Sequence, residues 1–233
     1  MLLAEQLHIG YKKPIAVAEY LCLTTGDIVA LVGRNGTGKS TLIQTLRGEI
    51  PALDGTVLLE NKPISTWPLP GLAQKIAWVN PHPIEVPHLS VWEYVMLGRT
   101  PYLNALGRAS TEDATHVNLA LDRVQSGSLR ERLIASLSDG ERQLVSIARA
   151  IAQNTPFIFL DEPTAFLDFY HRKQIFHVLV ELAKSKEKGI LVSTHDLDLV
   201  TGFKVPLWLV KSNGEITVNG PVNSRESLES LLS

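Results

Sequence analysis

A chain of 233 residues with one cysteine, Cys22, cannot close an internal disulfide. Its fold must rest on burial and hydrogen bonding, as suits a reducing cytosol, and the lone thiol reads as an inert buried residue. Long apolar runs are missing too. The longest is five residues, Ile28 to Val32, against roughly 20 for a helix that spans lipid, so no membrane-crossing helix is expected. Met1 to Ala4 carries no basic flank and leads into Glu5, so no secretory signal is expected either. Excess charge of one sign is also absent: 22 basic residues stand against 24 acidic ones, a formal net charge of −2. That gives no global electrostatic reason to bind nucleic acid. What the chain does have is 45% apolar residues, enough for a real core in one large domain or two small ones, and too many for disorder. Function must come from local motifs.

The pattern along the chain is mixed α/β. Leu2 to His8 alternates as a strand, a second β stretch covers Tyr20 to Leu23, and Asp27 to Gly33 is a short continuous apolar strand. A glycine-rich loop follows, then a helix over Thr41 to Arg47 with Gly48 as its stop. Strands are predicted at Thr56 to Leu59 and Lys75 to Val79. From Ser90 to Leu133 the spacing turns helical, which reads as an inserted helical subdomain. Strand and helix alternate again through Phe157 to Leu160, Arg172 to Lys184 and Ile190 to Thr194. Leu207 to Val210 and Glu215 to Val218 read as a hairpin, and Arg225 to Leu232 as a short helix.

Gly33-Arg-Asn35-Gly36-Thr37-Gly38-Lys39-Ser40-Thr41 fits G-x-x-x-x-G-K-[ST] between an apolar strand and a helix. Its glycines let backbone N–H groups from Asn35 to Ser40 turn inward around phosphates. Lys39 supplies a point charge and Ser40 a hydroxyl for Mg²⁺, and the helix N-terminus after Gly38 adds its dipole. Downstream, Phe157-Ile-Phe-Leu160 ends in two adjacent carboxylates, Asp161 and Glu162, at the strand end where open α/β sheets bind ligands. Asp161 can hold Mg²⁺ through its water shell, and Glu162, facing the other way, can polarise an attacking water. His195 in Ser193-Thr194-His195-Asp196 stands at the end of the next strand, where it could reach a γ-phosphate.

Leu137-Ser138-Asp139-Gly140-Glu141-Arg142-Gln143 then completes a set that resembles the ATP-binding subunit of ABC transporters over essentially the whole chain. GRNGTGKST resembles the Walker A motif, FIFLDE the Walker B, LSDGERQ the signature, AFLD the D-loop and STHD the H-loop, while Tyr11 resembles the aromatic that stacks on adenine. The resemblance implies a P-loop NTPase core of the ABC ATPase type, with residues 1–84 and 150–233 as core, a helical subdomain over about 85–140 carrying the signature, and an N-terminal antiparallel β region. It implies ATP and Mg²⁺ as ligands and a homodimer in which Ser138, Gly140 and Asp168 face the nucleotide of the other copy. It also implies polytopic permease subunits on separate chains, a solute-binding protein acting indirectly, and a place on the cytoplasmic face of the cell membrane. Ser138 with Glu141 is itself a capping-box pattern, so Ser138 should start a helix.

Two positions depart from the family pattern. Asp139 replaces the commoner signature glycine, and its carboxylate is expected to point away from the phosphate. No glutamine follows the strand ending near Val79; Asn80 stands one residue before Pro81, which occupies the aligned place, so Asn80 is the candidate replacement ligand for the metal. Pro81 to Leu89 resembles the segment that receives the permease's coupling helix. Tyr94 to Tyr102, containing Leu-Gly-Arg-Thr-Pro-Tyr, resembles a stretch of the iron-siderophore, haem and cobalamin importers. The rival readings are an exporter subunit and a soluble ATPase of the iron-sulfur assembly type. His8, His82, His88, His116, His171 and His177 read as surface or packing residues, and Lys184 to Lys188 as a solvated helix end.

Overall fold

The computed structural model describes residues 1–81, 86–104, 106–165, 167–185 and 187–232. His82, Phe166, Lys186, the middle of the Pro81 to Leu89 segment and the expected core-to-helical boundary at 84–85 lie outside these. In chain order the elements are β1 (Leu2–Gly10), β2 (Pro14–Leu23), β3 (Ile28–Gly33), α1 (Lys39–Leu46), β4 (Asp54–Leu59), β5 (Lys62–Pro63), α2 (Leu69–Ala73), β6 (Ile76–Val79), α3 (Val91–Met96), α4 (Thr111–Arg123), α5 (Asp139–Ala152), β7 (Phe157–Asp161), α6 (Phe169–Lys184), β8 (Gly189–Ser193), α7 (Leu197–Gly202), β9 (Leu207–Val210), β10 (Glu215–Asn219) and α8 (Arg225–Leu232). No helix among the described residues is long and apolar enough to cross a membrane. The chain divides into two compact units: Met1–Pro68 with Leu179–Ser233, and Leu69–Val178.

In the first unit the strands lie in the order β5-β4-β1-β2-β10-β9-β3-β8. The β1, β2 and β4 strands pair antiparallel, while β3 runs parallel to both β8 and β9. The parallel part is buried on both faces, which is why Val29 to Val32 is continuously apolar. The β1 strand instead alternates, with Leu2 and Ala4 inside, but the next buried residues are Leu7 and Ile9. Gln6 absorbs the extra residue in a left-handed conformation, φ 48°, where the β1–β4 register shifts. The β2 strand starts at Pro14, earlier than its sequence suggests, because Pro14 to Tyr20 is half exposed and its apolar signal is diluted.

In the second unit β6 and β7 pair parallel, Ile76 opposite Phe157 and Val79 opposite Leu160. The predicted helical stretch is broken: α3 passes into a 3₁₀ segment over Leu97–Tyr102 containing Pro101, and α4 starts afresh. The segment is fastened to α5. A Cβ on Gly98 would sit 2.3 Å from the carbonyl oxygen of Arg149, so only glycine allows this approach. Beside it Arg99 is buried, pairing with Asp113 at 2.8 Å, donating to the carbonyl of Ala152 at 2.8 Å and lying over the Tyr102 ring. The Leu-Gly-Arg-Thr-Pro-Tyr stretch is thus a packing device within this unit.

Candidate nucleotide site

In the first unit the phosphate loop leaves β3 and enters α1. Gly36 and Gly38 are left-handed, φ 78° and 104°. A Cβ on Gly33 would meet the carbonyl of Val210 at 2.7 Å, whereas one on Gly36 would face open space. The loop is therefore packed at its root and open at its crown, the shape of an anion cradle. Gly38 starts α1, and no side chain caps the helix, so its first-turn N–H groups are offered without a protein acceptor from a capping residue. Lys39 is buried, with its ammonium donating to the carbonyls of Gly33 at 3.0 Å and Arg34 at 3.2 Å. It also lies 3.1 Å from Nε2 of His195. An ammonium only donates, so in this contact Nε2 is on the accepting side. Thr37 closes the turn onto Arg34 at 2.9 Å. Ser40 is exposed and Thr41 buried on the same first turn. Tyr11 is 65% exposed, and its hydroxyl reaches Gln44 of α1 at 3.4 Å, so an open aromatic face stands beside the phosphate-loop helix.

In the second unit Asp161 ends β7 and is buried, while Glu162 after it adopts a left-handed φ of 46°. That conformation is costly for a non-glycine residue. Because Val79 pairs with Leu160, Asn80 and Asp161 follow at the same end of adjacent strands. The Asn80 side-chain oxygen accepts from the Trp78 indole. Among the described residues no cluster of three His, Cys, Asp or Glu side chains is set to hold a metal ion.

The signature starts α5 as its spacing predicts. Ser138 Oγ accepts from the backbone N of Glu141 at 3.3 Å, and Glu141 accepts from the backbone N of Ser138 at 2.8 Å. That backbone N–H holds the Glu141 carboxyl below the usual range. Asp139 is turned onto Arg142 of its own helix. Gly140 is covered by the His171 ring, to which a Cβ would come within 2.6 Å. His171 in turn meets Asp168 through Nδ1 at 2.8 Å and through its backbone N at 2.9 Å. The sequence alone reads His171 as a surface or packing residue. The available signal was its place three residues after Asp168, where a capped helix begins.

The ABC transporter family profile matches residues 20–165. The iron(3+)-hydroxamate import ATP-binding protein of Bacillus subtilis is 36% identical over 200 residues, 85% of this chain and 74% of that protein. The hemin import ATP-binding protein of Streptomyces coelicolor is 35% identical over 217 residues, 93% and 75% respectively. The manganese transport system ATP-binding protein of Listeria innocua is 35% identical over 220 residues, 93% and 88%. Among solved structures, an inward-facing metal-chelate type ABC transporter gives TM-score 0.81 at 29% identity, covering 94% of this chain and 82% of that one. The dimeric structure of a bacterial ABC transporter cassette gives 0.80 at 25% identity, covering 96% and 100%.

Proposed function

Because the chain belongs to the ABC transporter family and is one of its ATPases, we propose that it is the subunit that powers an importer of metal chelates of the iron-siderophore, haem or cobalamin type. The observation that carries ATP binding is the phosphate loop, with its uncapped α1 and with Lys39 and His195 drawn together. On this reading Tyr11 stacks on the base, while Gly33, Asn35, Gly36, Thr37, Gly38, Lys39, Ser40 and Thr41 take the phosphates. Ser40 and Asp161, with Asn80 as a further oxygen donor, are the residues offered to Mg²⁺, which when bound spreads the charge of the phosphates. Glu162 orients and polarises the attacking water, and His195 steadies the γ-phosphate. Transfer to water needs positioning and charge stabilisation more than covalent chemistry.

One chain carries one phosphate loop and one signature, which supports a head-to-tail pair of identical copies. Ser138, Gly140 and Asp168 would then serve the partner copy's nucleotide, as the dimeric form of a similar cassette encourages. The pair would drive permease subunits on separate chains from the cytoplasmic face of the cell membrane. The chelate class rests on the relatives named for hemin and hydroxamate import and on the metal-chelate type transporter. The manganese relative favours a second reading, a bare divalent cation as cargo.

Two experiments test this. Glu162→Gln should retain ATP binding while turnover falls about 10²- to 10⁴-fold; wild-type turnover in that variant overturns the assignment of the base. Co-purification from membranes should recover a polytopic protein, and reconstitution with it should give ATP-dependent uptake of ferric chelate; uptake of free Mn²⁺ alone would favour the second reading. Recovery of soluble assembly factors instead would overturn transport.

A further inference from the structure

We propose that His171 is a positioning residue that clamps the D-loop carboxylate Asp168 to the signature glycine Gly140, making one rigid piece of the two elements each copy would present to its partner's nucleotide. The inference rests on the dimeric reading above.

Asp168 uses its two oxygens differently. Oδ1 accepts from the backbone N of His171 at 2.9 Å, an ordinary cap for α6. Such a cap needs only the backbone. Oδ2 meets Nδ1 of the imidazole at 2.8 Å, and this second bond orients the ring. The ring lies over Gly140 so closely that a Cβ there would come within 2.6 Å of both Cγ and Cδ2. Ring and glycine are therefore complementary: a side chain at position 140 would displace the imidazole, and Asp168 would lose the partner of its Oδ2.

The clamp also reaches toward the catalytic carboxylate. Backbone turns run from Glu162 to Ala165 at 3.1 Å and from Thr164 to Leu167 at 3.4 Å, and Asp168 follows directly. The Glu162 backbone is left-handed at one end of this loop, and the clamped Asp168 closes the other. The edge of Tyr170 meets the His171 ring at 5.6 Å between centroids, in a T-shaped arrangement that further limits the ring's rotation.

The test separates the hydrogen bond from the packing. ATP-driven association is followed by light scattering in a Glu162→Gln background, which holds ATP without turning it over. Fluorescent ATP binding is measured in parallel at protein concentrations too low for association. Adding His171→Ala, or His171→Phe, which keeps a ring over Gly140 but has no donor for Asp168, should raise the ATP concentration for half-association about tenfold, a typical size for coupling between sites. Nucleotide binding by the single copy should stay within about twofold, since His171 is not part of the phosphate loop. His171→Asn restores an N–H donor at the place of Nδ1 and should recover most of the loss. Wild-type association in His171→Phe, or no recovery in His171→Asn, overturns the clamp. Failure of Glu162→Gln to associate with His171 intact would instead overturn the dimeric reading.

Discussion

The starts of α1, in the first unit, and α5, in the second, are built on opposite plans. The α1 helix begins at a left-handed glycine, with no side-chain hydrogen bond capping it. The α5 helix begins at Ser138 inside a full capping box, and in the same unit α3 and α4 begin likewise, at Ser90 with Glu93 and at Ser110 with Asp113. A cap satisfies the N–H groups that a helix leaves free and is worth about 1 kcal/mol. At the phosphate loop, which we propose takes the phosphates, the helix start has a glycine in place of a capping side chain. Where a helix must be held in place, the protein closes those N–H groups. On the proposed reading the signature combines the two plans, because Ser138 caps its own helix and is itself exposed.

The comparison can be broken at several points. The largest effect is expected in the boxed unit. Arg99→Met leaves Asp113 buried without its cation and should cost about 3–5 kcal/mol in urea unfolding, the usual penalty for breaking a buried pair. Unchanged stability would mean that the pair does not hold α4. Lys39→Ala should do the reverse, weakening ATP by about 100-fold in titration calorimetry, the loss expected for charge-assisted hydrogen bonds, while leaving the fold intact.

Acid should distinguish the two plans as well. The backbone N–H of Ser110 and then the Arg99 guanidinium, working against burial, bring the Asp113 carboxyl down to about 2, from 3.8 when unperturbed. The folded value is the lower one, so this stabilisation is complete above about pH 4 and is lost as pH falls toward 2. Asp113→Asn should flatten that part of the pH–stability curve; an unaltered curve would sink the assignment. The backbone N–H groups of Ser90 and Ser138 likewise hold Glu93 and Glu141 below the usual range. The smallest effect is the most discriminating. Ser110→Ala and Ser138→Ala should each lose about 1 kcal/mol of stability, but only Ser138→Ala should also lower turnover. Equal turnover in both would make the signature serine a cap and nothing more.

Much of this was readable from residues alone. The phosphate loop, the Phe157 to Glu162 strand end and the Ser138 box are local patterns, each set by spacings of a few residues. The Ile28 to Val32 strand was legible because both of its faces are buried. What escaped depends on residues distant in sequence. Gly98 needs Arg149, Arg99 needs both Asp113 and Ala152, and the His171 ring acquires its meaning from Gly140, 31 positions earlier. The breaks in the helical stretch escaped because apolar periodicity runs through Gly98 and Pro101 while the backbone does not.

The Lys39 ammonium also acts as a clasp. By reaching back to the carbonyls of Gly33 and Arg34, it joins the two ends of a glycine-rich segment into a small ring of chain. Glycines give such a segment more freedom than any other residues, and that freedom would have to be frozen at the moment of binding. A clasped loop has already lost it. Lysine at this position is thus a fastener as well as a charge.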